Sequence, residues 1–170
     1  STPYGAAKLA AFDEVTELCR AHGASLLWAR LFAPFGPGED SRRLVPRVCR
    51  ALLAGDPLNF TGPREVRDFI HVDEQADALA LALRSDIEGP LNVASGRGAS
   101  VQDLVRGLAA ALDRSAQVRI VEDEGGRAVV ACVHRLSEAL GWRPRRSPEE
   151  QIAAAAREWR ADGTRSGEEA

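Results

Sequence analysis

Methionine is absent from the 170 residues, and lysine and tyrosine occur once each, as Lys8 and Tyr4. The other 21 of the 22 basic side chains are arginine, and nine aromatic rings serve the whole chain. Long apolar runs are missing too. The longest stretches, such as 78–83 and 128–133, fall well short of the roughly 18 residues of a membrane-spanning helix. No charge of one sign dominates: 22 basic against 25 acidic residues leave a net charge of −3. That balance excludes nucleic-acid binding driven by a basic field. The three cysteines, Cys19, Cys49 and Cys132, are odd in number, far apart and free of any C-x-x-C spacing. They read as reduced thiols in a cytoplasmic protein, with neither a disulfide frame nor a metal site. No basic-then-apolar leader opens the chain, in keeping with that location. The length suits one ordinary domain that buries roughly 70% of its unfolded surface.

What is present alternates between helical and extended periodicity. Ser1 or Thr2 can cap a helix with Pro3 in its first turn, and Leu9, Phe12, Val15 and Cys19 recur at helical spacing until Gly23. Residues 25–31 form a short apolar run that reads as a buried strand, followed by a Pro/Gly-rich loop over 33–40. A helix is expected over 44–53, a strand over 58–61 with a turn at Gly62-Pro63, and a continuous strand over 66–72. Asp73 is expected to cap a helix running to Arg84, and His71 to be a structural residue at the strand end. Strands over 91–94 and 117–121 flank a helix that Ser100 opens in a capping-box pattern closed by Asp103. Short and long helices follow, at 136–140 and from Pro148 to about Arg160, with Trp142 and Trp159 as core residues. The pattern is α/β with an α+β remainder.

Tyr4 and Lys8 stand four residues apart, so a helix places phenol and ammonium one turn apart on the same face. Proton exchange with a hydroxyl or carbonyl uses this pairing. A free phenol titrates near 10, and a neighbouring cation lowers that value by favouring the phenolate. A compact ammonium can also hydrogen-bond a ribose, which a broad guanidinium does less well. In a chain that uses arginine everywhere else, the single lysine is the informative departure.

Four further segments follow in order: Arg30-Leu-Phe-Ala-Pro-Phe-Gly36-Pro37-Gly38, Arg67-Asp-Phe-Ile-His-Val-Asp73, Leu91-Asn-Val-Ala-Ser-Gly96 and Leu140-Gly-Trp-Arg-Pro144. With Tyr4 and Lys8, this set resembles the extended short-chain dehydrogenase/reductases, and within them the NAD-dependent epimerase/dehydratase family that acts on nucleotide sugars. The resemblance runs from about Thr2 to Trp159. It implies Tyr4 as catalytic acid/base and Lys8 as its partner, both contacting NAD or NADP, with Phe32, Ala33 and Pro34 beside the nicotinamide. It implies Leu58 and Phe60 at the nucleobase, Arg67 on the diphosphate and Arg127 as a second phosphate contact. The alternative for Arg67 is a salt bridge to Asp68 or Asp73.

The fold so implied is the C-terminal part of a Rossmann-like parallel sheet joined to a small α+β substrate-binding domain. Residues 1–31 and 66–84 belong to the sheet, 32–65 and 85–161 to the substrate-binding part, and 162–170 form a flexible tail. Relatives often have Asn where Ala33 and Arg43 stand, and Asp near Cys132. The glycine-rich strand–turn–helix that seats a pyrophosphate is not among these residues, and Gly96-Arg-Gly98 is too short and too late to replace it. The resulting expectation is a fragment or truncated member that works with a cofactor-binding half or as a homodimer. The alternative is a non-catalytic module that binds a nucleotide sugar or assembles with another chain.

Overall fold

Residues 2–123 and 125–166 are described in the computed structural model. Thr2 caps the first helix, α1 (Pro3–Ala21): its hydroxyl oxygen accepts a hydrogen bond from the Gly5 N–H at 3.1 Å. Ser1, the other expected cap, lies outside the described residues. Beyond Gly23 the chain turns into strand β1 (Leu27–Leu31), which pairs in parallel with β6 (Gly89–Val93), from Leu27 opposite Gly89 to Leu31 opposite Val93. Among the described residues the other edge of β1 pairs with nothing.

The expected strand over 66–72 is instead two short pieces in different sheets. β4 (Val66–Arg67) lies between β7 (Ala99–Ser100) and β9 (Ala128–Val129). β5 (Ile70–His71) pairs in parallel with β2 (Pro34–Phe35). The break falls at Asp68, whose buried carboxylate takes hydrogen bonds from Ser95 N–H (2.8 Å), Ser95 Oγ (2.5 Å), Gly96 N–H (3.0 Å) and Ala131 N–H (3.1 Å). A charge removed from water needs such a partner set, and satisfying it bends the strand.

Two apolar clusters organise the rest. In one, α2 (Leu44–Ala54), α4 (Val101–Ala111) and α6 (Pro148–Ser166) bring together Val48, Leu52, Leu104, Leu108 and Ala155. Against them packs the parallel pair β3 (Leu58–Pro63) and β8 (Val118–Asp123). The spacing of Val45, Val48, Cys49 and Leu52 gives α2 the single buried stripe that its sequence predicts. Ser100 caps α4 by accepting the Asp103 N–H at 3.0 Å, as expected. In the second cluster, α3 (Val72–Leu83) and α5 (His134–Leu140) cover β6 through Ala78, Ala82, Leu91, Val93 and Leu136.

Several boundaries differ from the sequence reading. β3 continues through Gly62-Pro63 because β8 offers a partner along its full length. Residues 89–93 share a sheet with 27–31, so they belong with the Rossmann-like part rather than with the substrate-binding part. α6 reaches Ser166 instead of ending near Arg160, and residues 167–170 of the expected tail lie outside the described residues. His71 is the N-cap of α3, its Nδ1 accepting the Asp73 N–H at 3.3 Å, and Asp73 sits inside the first turn. No helix among the described residues is long and apolar enough to cross a membrane.

Candidate active site

α1 carries no fully buried residue; Phe12, Val15 and Cys19 are only half-buried. Phe12 meets Trp28 of β1 edge-on, with ring centres 5.3 Å apart. Above this contact a groove of about 590 Å3 opens between helix and strand, lined by Tyr4, Lys8, Phe12, Arg30 and Leu31. The helix places Tyr4 and Lys8 on the same side, with Lys8 Nζ 5.7 Å from the centre of the Tyr4 ring, a cation–π approach. Tyr4 is 73% exposed, so its phenol is open to a ligand in the groove.

The chain leaves this groove at Leu31 and enters a second one, about 350 Å3, lined by Phe32, Ala33, Arg67, Asp68, Arg127 and Val129. Asp68, held by its hydrogen bonds to Ser95, Gly96 and Ala131, is one of its lining residues. Gly96 approaches so closely that a Cβ there would lie 2.6 Å from Val133 Cγ2, and its φ of 73° also requires glycine. Because β4 and β9 are neighbours, with Val66 N–H bonded to Arg127 O at 2.9 Å, Arg67 and Arg127 face the same space. Arg67 pairs with Glu65 (Nε to Oε2 3.0 Å, Nη2 to Oε2 2.5 Å), and not with Asp68 or Asp73, the partners considered from sequence. Asp68 is already fully engaged.

A third groove, about 310 Å3, shares Ala33, Glu65 and Arg67 with the second and adds Pro34, Glu39 and Arg43. Glu39 accepts the Gly36 N–H at 3.2 Å and pairs with Arg43 Nε at 3.0 Å. Burial pushes its pKa above the ordinary carboxylate value, outweighing the Gly36 and Arg43 contacts that lower it. The neighbouring Cys49 thiol is pushed up to about 12, first by burial and then by the Glu39 charge, so it is inert.

Phe32, Ala33, Pro34, Arg67 and Arg127 are thus brought to adjoining grooves, and Tyr4 and Lys8 to the next one. Leu58 and Phe60 are not: both pack, partly buried, against the α2/α4/α6 cluster and line none of these three grooves. Sequence reasoning missed Glu39, the Asp68 hub and Gln75. Gln75 Nε2 donates to Phe32 O and Val93 O, both at 3.1 Å, fixing the site segment to the end of β6. A polar residue on the stripe Gln75–Ala78–Ala82 was the available signal. His71 is buried, with Nε2 3.0 Å from Glu158 Oε2. Since Nδ1 accepts from Asp73, Nε2 carries the proton and donates. Asp73, His71 and Glu158 could each turn one atom toward a metal, but both ring nitrogens are already hydrogen-bonded, and the trio ties α6 to α3.

The profile of the NAD dependent epimerase/dehydratase family matches residues 1–94, more than half of the chain. The chain belongs to that family, within the extended short-chain dehydrogenase/reductases. Among curated relatives, UDP-glucose 4-epimerase of Azospirillum brasilense is 30% identical over 92% of this chain and 52% of its own length. A dTDP-glucose 4,6-dehydratase of Xanthomonas campestris is 28% identical over 90% of the chain and 48% of its own. The Thermus thermophilus UDP-glucose 4-epimerase, solved in complex with NAD, superposes with a TM-score of 0.80 at 26% identity, over 94% of this chain and 54% of that one. The family member described here therefore spans about half the length of the relatives it matches.

The donor set fits one end of NAD. A phenol and an ammonium beside an open groove suit the nicotinamide riboside. The pyrophosphate end finds no glycine cradle among the described residues: the Gly96 N–H is taken by Asp68, and Gly98 packs against Val66 and Val130.

Proposed function

We propose that this chain carries the catalytic tyrosine and the substrate-binding part of an NAD(P)-dependent epimerase or dehydratase acting on a nucleotide-activated sugar. The observation that carries this reading is the continuity of the site. Tyr4 and Lys8 share one groove, and the segment Arg30–Phe32–Ala33 leads from it directly to Arg67 and Arg127. A sugar near Tyr4 then places its diphosphate toward the two guanidiniums, whose forked donors match phosphate oxygens. Tyr4 takes or returns the proton of a sugar hydroxyl, and Lys8 one turn away favours the phenolate. Lys8 and Tyr4 would hold the nicotinamide ribose. When bound, the nicotinamide supplies the hydride acceptor. Ala33 and Arg43, standing where relatives often have Asn, shape the sugar and diphosphate contacts.

The open edge of β1 and the exposed Leu9, Leu18 and Leu31 point to a covering partner. A cofactor-binding half, in the same or another polypeptide, fits that need, and a second copy of this chain is the other candidate. With the cofactor-binding half present, Tyr4→Phe is expected to lower turnover of a UDP- or dTDP-hexose roughly 100- to 10,000-fold. UDP binding by calorimetry stays within about two-fold, since Tyr4 lies outside the arginine grooves. Undiminished turnover would overturn the assignment.

A second reading is supported by the placement of the Arg67/Arg127 groove, which stands on elements other than α1. A non-catalytic nucleotide-sugar module would bind UDP, weaken on Arg67→Ala and show no redox turnover even with the cofactor-binding half supplied.

A further inference from the structure

The third groove holds two arginines, and each is already matched to a glutamate, but the two pairs are unlike. Arg67 and Glu65 are both well exposed, so Glu65 can swing into water when an anion takes its partner. Arg43 is also free to move, its side chain 55% exposed, whereas its partner Glu39 is only 12% exposed and anchored by the Gly36 N–H. Phe35, Leu44, Val45 and Phe69 line the same groove as Glu39 and offer no hydrogen bond from their side chains. Arg43 is the N-cap residue of α2, but its side chain makes no capping hydrogen bond, so the guanidinium is not tied to the helix end.

We propose that Arg43 is a further diphosphate-binding residue, masked by Glu39 in the free protein, and that ligand binding moves its guanidinium from Glu39 to the phosphate while the Glu39 carboxylate takes one proton from solvent. The inference rests on the sugar-nucleotide reading above. The charged and titratable groups facing Glu39 make the direction plain. Arg43 is the cation that lowers its proton affinity, and it leaves. Glu65 and Arg67 line the same groove, where the incoming phosphate adds negative charge. Cys49, on the α2 side, stays a neutral thiol and does not compete for the proton. Burial already favours the protonated form of Glu39, and loss of Arg43 adds to it. The complex therefore binds more protons than the free protein, and affinity rises as pH falls.

The test is calorimetry of UDP binding to the 170-residue chain between about pH 5.5 and pH 8, in buffers of different ionisation enthalpy. Uptake rising toward one proton per UDP is expected where Glu39 is ionised in the free protein, with tighter binding at the lower pH. Arg43→Gln should weaken UDP roughly ten-fold or more, as befits loss of a charge-assisted contact, and leave uridine binding unchanged. Glu39→Gln should abolish the proton uptake and tighten binding at the higher pH, because Arg43 is then unmasked. Far-UV circular dichroism confirms that both variants are folded. UDP binding that is unchanged in Arg43→Gln, or proton uptake that persists in Glu39→Gln, overturns this inference and leaves the sugar-nucleotide reading standing. Failure of the unaltered chain to bind UDP overturns both.

Discussion

The two halves of this molecule meet at the site, yet they hold themselves together very differently. The α2/α4/α6 cluster with β3 and β8 buries large side chains completely, Leu52, Leu104 and Leu108 among them. The α1/β1 side buries none of α1, leaves Leu9 58% and Leu18 60% exposed, and among the described residues keeps one edge of β1 unpaired. Tyr4 and Lys8, the proposed catalytic pair, sit on the second kind of surface, whereas Arg67 and Arg127, the proposed phosphate contacts, lie on β4 and just before β9, outside both. A helix that is apolar on more than one face is built to be covered from more than one side. The contrast places the exposed apolar surface over α1 and β1, beside Tyr4.

The largest test of that contrast is Asp68→Ala. Asp68 ties β4 to the end of β6 and to Ala131, where the two halves join. Removing it strands several buried donors, and a loss of about 3–5 kcal/mol in urea unfolding is expected. Next comes a matched pair. Leu108→Ala should cost about 2–5 kcal/mol, while Leu18→Ala in the same chain should stay within about 0.5 kcal/mol. A large effect of Leu18→Ala would show that α1 is covered in solution, by a second copy of the chain.

Acid sharpens the comparison further. Glu74 is buried, which by itself raises its pKa, but the Arg146 guanidinium and the Arg145 N–H outweigh burial and hold it below the ordinary value. A depressed folded-state value means that the stabilisation is complete above the unfolded pKa near 4.5 and is lost as pH falls through the folded one. Acid titration of unfolding should therefore show a loss of stability below about pH 4.5 that is smaller in Glu74→Gln. The smallest effect is expected at Thr2→Ala, which removes the α1 cap. About 1 kcal/mol of local helix stability should disappear, visible as faster amide exchange in the first turn of α1 and not in α4.

Much of the local structure was legible in the residues. Ser100 and Asp103, Thr2 and Pro3, and the Ser147-Pro148 start of α6 announce helix ends because capping needs only side chains within one turn. The spacing of Tyr4 and Lys8 likewise carried its geometry with it. The break at Asp68 was not legible, since the sequence 66–72 reads as a single strand until Ser95, Gly96 and Ala131 supply partners. Nor was the Arg67–Glu65 pair, because three acidic residues lay within reach along the chain and only the Ser95–Gly96 turn removed Asp68 from the choice.

By itself, then, the sequence determined where helices begin, which faces are apolar, and that a phenol and an ammonium stand one turn apart. Those features depend on the 3.6-residue repeat and on bonds within a turn. Only the tertiary structure decided that β6 belongs beside β1, that Arg67 and Arg127 share a groove, and that Arg43 pairs with Glu39. Strand pairing joins residues some sixty positions apart, as Leu31 and Val93 show. A buried carboxylate likewise takes whichever donors folding brings to it, and local periodicity carries no record of that choice.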